Sequence, residues 1–270
     1  MAVADKAFTG SIPELYERHL VPLIFEPYAQ ELAEQLRRFR PRSVLETAAG
    51  TGVVTRVLAE TLPTTTRLVA TDLNAAMLDI ARSRVLHERP VEWQQADALA
   101  LPFAEETFDA VICQFGVMFF PDKLQGFREA RRVLLPSGRF IFSVWDEIDA
   151  NDFASVVTRS LAEVFPEDPP RFLARTPHGY CDTARIIAEL QAAGFAKVKS
   201  ETVEHVSRSA TPHEPAVAFC QGTPLRSEIE TRDVTRLEEA TQRAAMALAV
   251  RFGRGPIEGR TRAIVFSATR

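Results

Sequence analysis

Cysteine is scarce in this 270-residue chain, and what there is does not pair: Cys113, Cys181 and Cys220 are odd in number and contain no C-x-x-C spacing. That excludes a disulfide framework and a cysteine zinc site, and it suits the reducing cytoplasm. A basic excess is lacking too, since 32 Lys+Arg stand against 36 Asp+Glu, a net charge of −4. A binder of nucleic acid or of anionic membrane needs the opposite balance on at least one face, so neither partner is expected. No run approaches the ~18 apolar residues of a membrane span, and Met1 to Leu20, with Asp5, Glu14 and Glu17, lacks an apolar signal-peptide core. His87, His205 and His213 have no metal-ligand spacing to one another, so no metal is expected. Internal repeats and low-complexity tracts are absent. What remains is a composition of 46% hydrophobic and 25% charged residues, that of a globular protein long enough for one large α/β domain or two small ones.

From Ser43 to Trp145 short apolar, β-branched runs alternate with segments of helical period, the pattern of βαβ units on a parallel sheet. Strands are expected at Val44–Thr47, Leu68–Asp72, Val91–Gln95, Phe108–Gln114 and Arg139–Trp145. Val54, Val57, Leu58 and Thr61 recur at i, i+3, i+4 and i+7, and Asn74 can cap a helix that buries Met77, Ile80, Ala81 and Val85. Asp122 can cap a further helix through Leu135, stopped by Pro136, with Ser137-Gly138 turning into the next strand. Before the first strand, Pro13 and Pro27 mark the starts of two helices, Ser11–Val21 and Glu26–Phe39. Beyond the core, a capped helix spans Asp182–Ala193 and is closed by Gly194, a helix spans Arg232–Phe252, and strands fall at 196–207 and 262–269. Segments 147–181 and 208–258 interrupt the alternation and carry much of the proline.

The stretch Val44-Leu45-Glu46-Thr47-Ala48-Ala49-Gly50-Thr51-Gly52 runs from a strand through a glycine loop into a helix, where backbone amides face a ligand at close range. Gly50-x-Gly52 by itself says little, because the third glycine of a dinucleotide fingerprint would fall at Thr55. Glu46 decides the chemistry: a carboxylate there repels a pyrophosphate and suits a cation. Asp72 ends the second strand 20 residues after Gly52, the place of an acid that takes ribose hydroxyls, although it can equally help Asn74 cap the next helix. Asp97 follows the third strand, where its carboxylate can accept from an exocyclic amine while Ala98 offers its amide. Adenine has the matching edge, and a plain turn acid is the other reading.

With these motifs in order, the chain resembles the class I S-adenosylmethionine-dependent methyltransferases of the ubiquinone and menaquinone biosynthesis type. The matching stretches are VLETAAGTG, ATDLNAAML, QADALALPFAEETFDAVICQFGVMFFPD and REARRVLLPSGRFIFSVW, within residues 43–145. The resemblance implies an α/β fold with a Rossmann-like, doubly wound sheet of seven strands, mostly parallel with the last antiparallel, plus a helical lid and insertions. It implies one domain, with N-terminal helices and lid at 1–42, a cofactor-binding core at 43–146, and substrate-side insertions with the final strands at 147–270. The implied activity is transfer of a methyl group from S-adenosyl-L-methionine to a small-molecule acceptor, leaving S-adenosyl-L-homocysteine. In that scheme Glu46, Thr47, Ala48, Gly50 and Gly52 hold the methionine part and Asp72 the ribose. Leu73 and Met77 cover the adenine faces, Asp97 and Ala98 meet its edge, Gln114 and Phe115 line the same cleft, and Tyr16 or Tyr28 touches the cofactor from the lid, core or surface packing being the other reading of each.

One departure stands out. Many relatives carry a histidine shortly after the fourth strand, where this chain reads Phe115-Gly116-Val117-Met118-Phe119-Phe120, a run suited to core and pocket wall. His178 and Tyr180, in a Pro177-His178-Gly179-Tyr180 turn, are the remaining candidates to orient or deprotonate an acceptor, against ordinary turn and surface roles. Phe153, Phe165, Phe172 and Tyr180 can enclose an apolar or aromatic acceptor or simply pack their segment. Arg37, Arg38, Arg40 and Arg42 fit a phosphate-bearing partner or a dipole-matched helix end. Two competing readings are a nicotinamide-dependent oxidoreductase, opposed by Glu46 and the missing third glycine, and a noncatalytic binding protein that keeps the core.

Overall fold

The computed structural model describes residues 10–84 and 89–270, so His87 and Val85 of the expectations above lie outside the described residues. The chain folds into two compact units that alternate along the sequence. One comprises the described residues up to Phe25 with Trp145–Tyr180 and Val203–Ala263; the other comprises Glu26–Val144, Cys181–Thr202 and Ile264–Arg270.

The first element, α1 (Ile12–Leu15), leads into a π-helical stretch, Tyr16–Phe25, with Pro22 inside it. A helix ending at Val21 was expected instead. Proline lacks an N–H and crowds the preceding turn of an α-helix, and the wider π winding carries the chain past it. Next, α2 (Glu26–Phe39) has its expected bounds and buries Tyr28, Ala29, Leu32, Ala33 and Leu36 on one face.

Seven strands follow in one sheet: β1 (Ser43–Glu46), β2 (Arg67–Asp72), β3 (Glu92–Gln95), β4 (Phe108–Gln114), β5 (Leu134–Trp145), β6 (Ala196–Ser209) and β7 (Ile257–Thr269), in the order β3-β2-β1-β4-β5-β7-β6. Six are parallel and the last is antiparallel. Val44, Leu45, Val69, Ala70 and Val111 are at most 1% exposed. Such unbroken burial belongs to a parallel sheet covered on both faces, and it is why these strands read as apolar runs rather than alternations. Registers Glu46↔Ala70, Glu46↔Ile112 and Asp72↔Gln95 bring the carboxyl ends of β1 to β4 level with one another.

Between the strands lie α3 (Val53–Thr61), α4 (Ala75–Arg84), α5 (Lys123–Val133) and, later, α8 (Thr183–Ala192). Asp122 and Asp182 cap α5 and α8, accepting the N–H groups of Gln125 and Arg185. The turn expected at Ser137-Gly138 is instead part of β5. Pro136 forces its predecessor out of helical geometry, so the strand starts at Leu134, and a bulge with Ser137 at φ 66° shifts the register against β4 between Phe108 and Ala110. Phe142 stacks on Phe140 and Phe266 with centroids 4.8 and 5.0 Å apart. Each such ring contributes about 1.5–3 kcal/mol by burial.

The segments that interrupted the alternation are helical. In their unit α6 (Asp152–Val164), α9 (His213–Gln221) and α11 (Leu237–Phe252) pack on one another, with α7 (Phe172–Arg175) and α10 (Leu225–Arg232) alongside. The single helix expected over Arg232–Phe252 is broken at Asp233, whose backbone is extended and whose carboxylate accepts the Thr235 N–H to start the chain again. Asn151 ties this unit together: Nδ2 donates to the carbonyls of Asp146 and Arg262, and Oδ1 accepts from Thr261 Oγ1 and the Arg262 N–H. Among the described residues no helix is long and apolar enough to cross a membrane, and no group of three or more His, Cys, Asp or Glu could hold a metal.

Candidate functional site

The loop after β1 is shaped by left-handed residues, with Ala48 at φ 52°, Gly50 at 57° and Gly52 at 80°. Its backbone is tied down on both sides, the Thr47 N–H donating to Ile112 O and the Ala49 N–H to Thr71 O. Gly116, in the turn after β4, permits a close approach: a Cβ there would lie 2.5 Å from Ala48 Cβ and 2.7 Å from Cys113 Sγ. The glycine loop thus rests on the β4 turn, and both need small groups at the contact.

Three acids stand at or just beyond the ends of these strands. Asp72 is buried, and its carboxylate accepts the Gly50 N–H at 2.8 Å through Oδ2 and the Asn74 N–H at 2.8 Å through Oδ1. It therefore does cap the turn into α4, as one sequence reading had it, while also fixing the glycine loop. Each oxygen keeps acceptor capacity for a ligand hydroxyl. Burial raises the Asp72 carboxyl above its ordinary range, against the pull of those amides. Asp97 is exposed, and Oδ1 accepts the Leu99 N–H at 2.9 Å; half-buried Ala98 sits within that turn. Glu46 is only 2% exposed, and its Oε2 accepts the Thr55 hydroxyl at 2.5 Å. Burial pushes its carboxyl up to about 8, with the Thr55 bond opposing and the Asp72 charge adding. Near neutrality Glu46 holds a proton that it must release before it can pair with a cation.

Leu73 stays 44% exposed beside Asp72, an apolar surface that a planar ring can cover. Met77, one turn into α4, is buried, and Phe115, also buried at φ 53°, stands edge-on to Tyr28 with ring centroids 5.3 Å apart. Gln114 is half-buried at the end of β4. The loop residues Thr47, Ala48, Gly50 and Gly52, the three acids, Leu73, Ala98, Gln114 and Phe115 thus share one edge of the sheet. Tyr16, His178 and Tyr180 belong to the other unit.

In that unit Tyr16 packs on Phe25, with centroids 5.1 Å apart. His178 and Tyr180 are buried, not surface residues of a turn. The His178 ring lies 6.1 Å from that of Trp145, and Nδ1 bonds the Asp146 carbonyl at 2.7 Å. A carbonyl only accepts, so Nδ1 carries the hydrogen and Nε2 is the basic nitrogen of the neutral ring. Burial lowers the His178 pKa to about 4, with the Asp146 bond opposing. His178 lines a cavity together with Trp145, Phe153, Ser207 and Thr261. Of the four segment aromatics, Phe153 faces this cavity; Phe172 and Tyr180 are buried outside its lining, and Phe165 lies under the Arg236 guanidinium at 4.8 Å.

Several residues escaped the sequence reading. Thr55 was noted only for not being glycine, yet it is the partner of Glu46; an acid at a strand end with a hydroxyl nine positions on was the available signal. Gly116 sat in a run read for its apolar side chains. Asn151, Ser207 and Thr261 carry no local signal at all, since they meet only in three dimensions.

Residues 45–142 match the family described as a methyltransferase domain. A 2-phytyl-1,4-naphtoquinone methyltransferase of Thermosynechococcus vestitus is 37% identical over 137 residues, 50% of this chain and 61% of that one. A ubiquinone/menaquinone biosynthesis C-methyltransferase of Escherichia coli is 30% identical over 171 residues, 59% of this chain and 68% of that one. The chain spans between 41% and 61% of the length of three such curated relatives. The solved structure of the YcgJ protein from Bacillus subtilis shares the fold, with a TM-score of 0.57 at 18% identity, covering 90% of this chain and 98% of that one.

Proposed function

The chain belongs to the class I S-adenosylmethionine-dependent methyltransferases, and from that membership we propose that it transfers a methyl group from S-adenosyl-L-methionine to a small-molecule acceptor. One observation carries the reading: Glu46, Asp72 and Asp97 stand around the glycine loop at the carboxyl ends of consecutive sheet neighbours, where ligands of open α/β sheets bind.

The residues present fit such a donor. Asp72, held by two backbone amides, has lone pairs left for a ribose diol. Exposed Leu73 offers a face to adenine, and Asp97 with the Ala98 amide offers acceptor and donor to its edge. The loop from Thr47 to Gly52 brings backbone close to the methionine part, and Glu46 places a latent negative charge beneath it. When bound, the sulfonium supplies an activated methyl: a bond from the acceptor atom to the methyl carbon forms as the carbon–sulfur bond breaks, its electron pair stays on sulfur, and S-adenosyl-L-homocysteine leaves. What these residues contribute is alignment and exclusion of water. The run after β4 supplies no base, which suits an acceptor carbon, nitrogen or acidic oxygen that needs little help losing a proton.

The acceptor we propose is an apolar ring compound, by analogy with the naphthoquinone and menaquinone named for the relatives and in keeping with the net charge of −4, which disfavours nucleic acid. A nicotinamide nucleotide suits the site less well, because Thr55, bonded to Glu46, takes the place of the third glycine. Calorimetry tests the donor: S-adenosyl-L-homocysteine should bind saturably. No heat at millimolar ligand, with nicotinamide nucleotides binding instead, overturns the proposal. Incubation with labelled S-adenosyl-L-methionine and a panel of quinols, followed by mass analysis for a one-methyl shift, tests the transfer.

A further inference from the structure

A second cavity lies wholly within the helical unit. The π-helical stretch lines it with Arg18, His19, Pro22 and Leu23, and the end of β6 and the first turn of α9 line it with Arg208 and Glu214. About 340 Å³ of it is wide enough for a water molecule, which places it within the roughly 300–1,000 Å³ of small-molecule pockets.

The charged groups of this lining are only partly used by the protein itself. Arg18 is exposed and makes no hydrogen bond or ion pair among the described residues. Arg208 gives only its Nε to Glu258, at 2.8 Å in a solvent-exposed pair, so both terminal nitrogens still have hydrogens to donate. Glu214 is held in place, its Oε2 accepting the Ser209 hydroxyl at 2.6 Å and the Ala210 N–H at 3.2 Å. Burial and the Arg18 charge lower the His19 pKa, with Glu214 opposing and His213 adding to the fall, so His19 is neutral near pH 7. Two guanidinium groups against one carboxylate leave a single positive charge in excess. A guanidinium fork matches a planar carboxylate, and the fixed Glu214 repels a second negative charge, so the lining suits a monoanion better than a phosphate dianion. Pro22 and Leu23 add apolar surface for a hydrocarbon body.

We propose that this cavity binds a small organic monoanion, its carboxylate held by the Arg18 and Arg208 guanidinium groups and its hydrocarbon body against Pro22 and Leu23. The binding rests on these residues alone and stands or falls independently of methyl transfer.

Benzoate, benzamide and phenyl phosphate share a ring and differ in charge, and titration of each into the full chain at pH 8 tests this by nuclear magnetic resonance. The His19 ring signal, assigned with His19→Gln, reports the site. Benzoate should shift it saturably, and benzamide, which lacks the charge, should bind at least about tenfold more weakly. Phenyl phosphate should bind more weakly than benzoate. Arg18→Gln and Arg208→Gln should each lower benzoate affinity about five- to tenfold and leave benzamide unchanged. Both side chains are exposed, so the variants should keep the unfolding midpoint of the parent chain. Bound benzoate should also raise the pH at which His19 titrates, because a neighbouring anion favours the imidazolium, a change that a purely structural role of the two arginines would not produce. Equal binding of benzoate and benzamide, tighter binding of phenyl phosphate, an unmoved His19 signal, or benzoate affinity unaltered in both variants overturns the site.

Discussion

The sheet-bearing unit and the helical unit build their sites in different ways. In the first, Glu46, Asp72 and Gln114 occupy the last positions of three strands and Asp97 lies just past a fourth, so backbone topology alone delivers them to one edge. In the second, Asn151 and His178 come from separate stretches outside the sheet and converge with Ser207 and Thr261 of the neighbouring strands β6 and β7. A site assembled by repetition of one structural unit leaves a trace in sequence order. A site assembled by convergence of side chains does not. The two also bury titratable groups of opposite kind, each in its uncharged form: Glu46 with its proton on, His178 with its proton off.

Five experiments press on this contrast. Phe142→Ala empties the aromatic stack of the sheet-bearing unit and should destabilise the protein by about 3–5 kcal/mol, read from denaturant unfolding. A loss below about 1 kcal/mol would mean that the stack is not what holds the site-bearing strands. Asp72→Ala removes charge-assisted bonds worth roughly 1.5–3 kcal/mol each, so S-adenosyl-L-homocysteine affinity should fall at least about tenfold by calorimetry. Unchanged affinity in a folded variant would reduce Asp72 to its turn-capping bonds.

Stability against pH separates the two buried groups by sign. Glu46 titrates near 8 in the folded chain and near its ordinary carboxyl value when unfolded, so between those values the folded state holds the extra proton and stability falls as pH rises. Glu46→Gln should flatten that decline. His178 titrates near 4 when folded and near 6.5 when unfolded, so there the unfolded state holds the extra proton and stability rises with pH. The two ranges overlap from about 4.5 to 6.5, where the slopes oppose; His178→Gln should flatten the rise and leave the decline from about 6.5 to 8 unchanged, and a change in that decline would show that the two titrations are not separate. Affinity for a cationic ligand at Glu46 should increase up to about pH 8, and Thr55→Val, which removes a bond favouring the ionised form, should move that increase upward. The smallest change is expected at the helical unit's surface, where Arg208 pairs with Glu258 at side-chain exposures of 68% and 63%; Arg208→Ala should cost under about 1 kcal/mol in the same unfolding assay.

Much of the sheet-bearing unit was legible. β4 and α2 have their expected bounds, because an apolar strand and a proline-started amphipathic helix carry unambiguous local signals. The misreadings share a cause. Ser137-Gly138 and Pro22 are residues that usually end an element, and here tertiary packing keeps the element going, through a bulge in β5 and a π winding before α2. Asp233 shows the reverse, since a single capping carboxylate breaks what helical periodicity alone would continue. Thr55 was visible but misjudged, because a glycine fingerprint records which small residue is missing and not what the replacement bonds.

The chain passes between its two units at 25/26, 144/145, 180/181, 202/203 and 263/264. Neither unit is a continuous stretch, so neither can be excised, grafted onto a foreign scaffold or expressed as a fragment without cutting the other open. Recombining one unit of this chain with the other unit of a relative would require splicing at all five points at once. For this architecture new specificity is more accessible by point substitution within an intact chain than by exchange of parts.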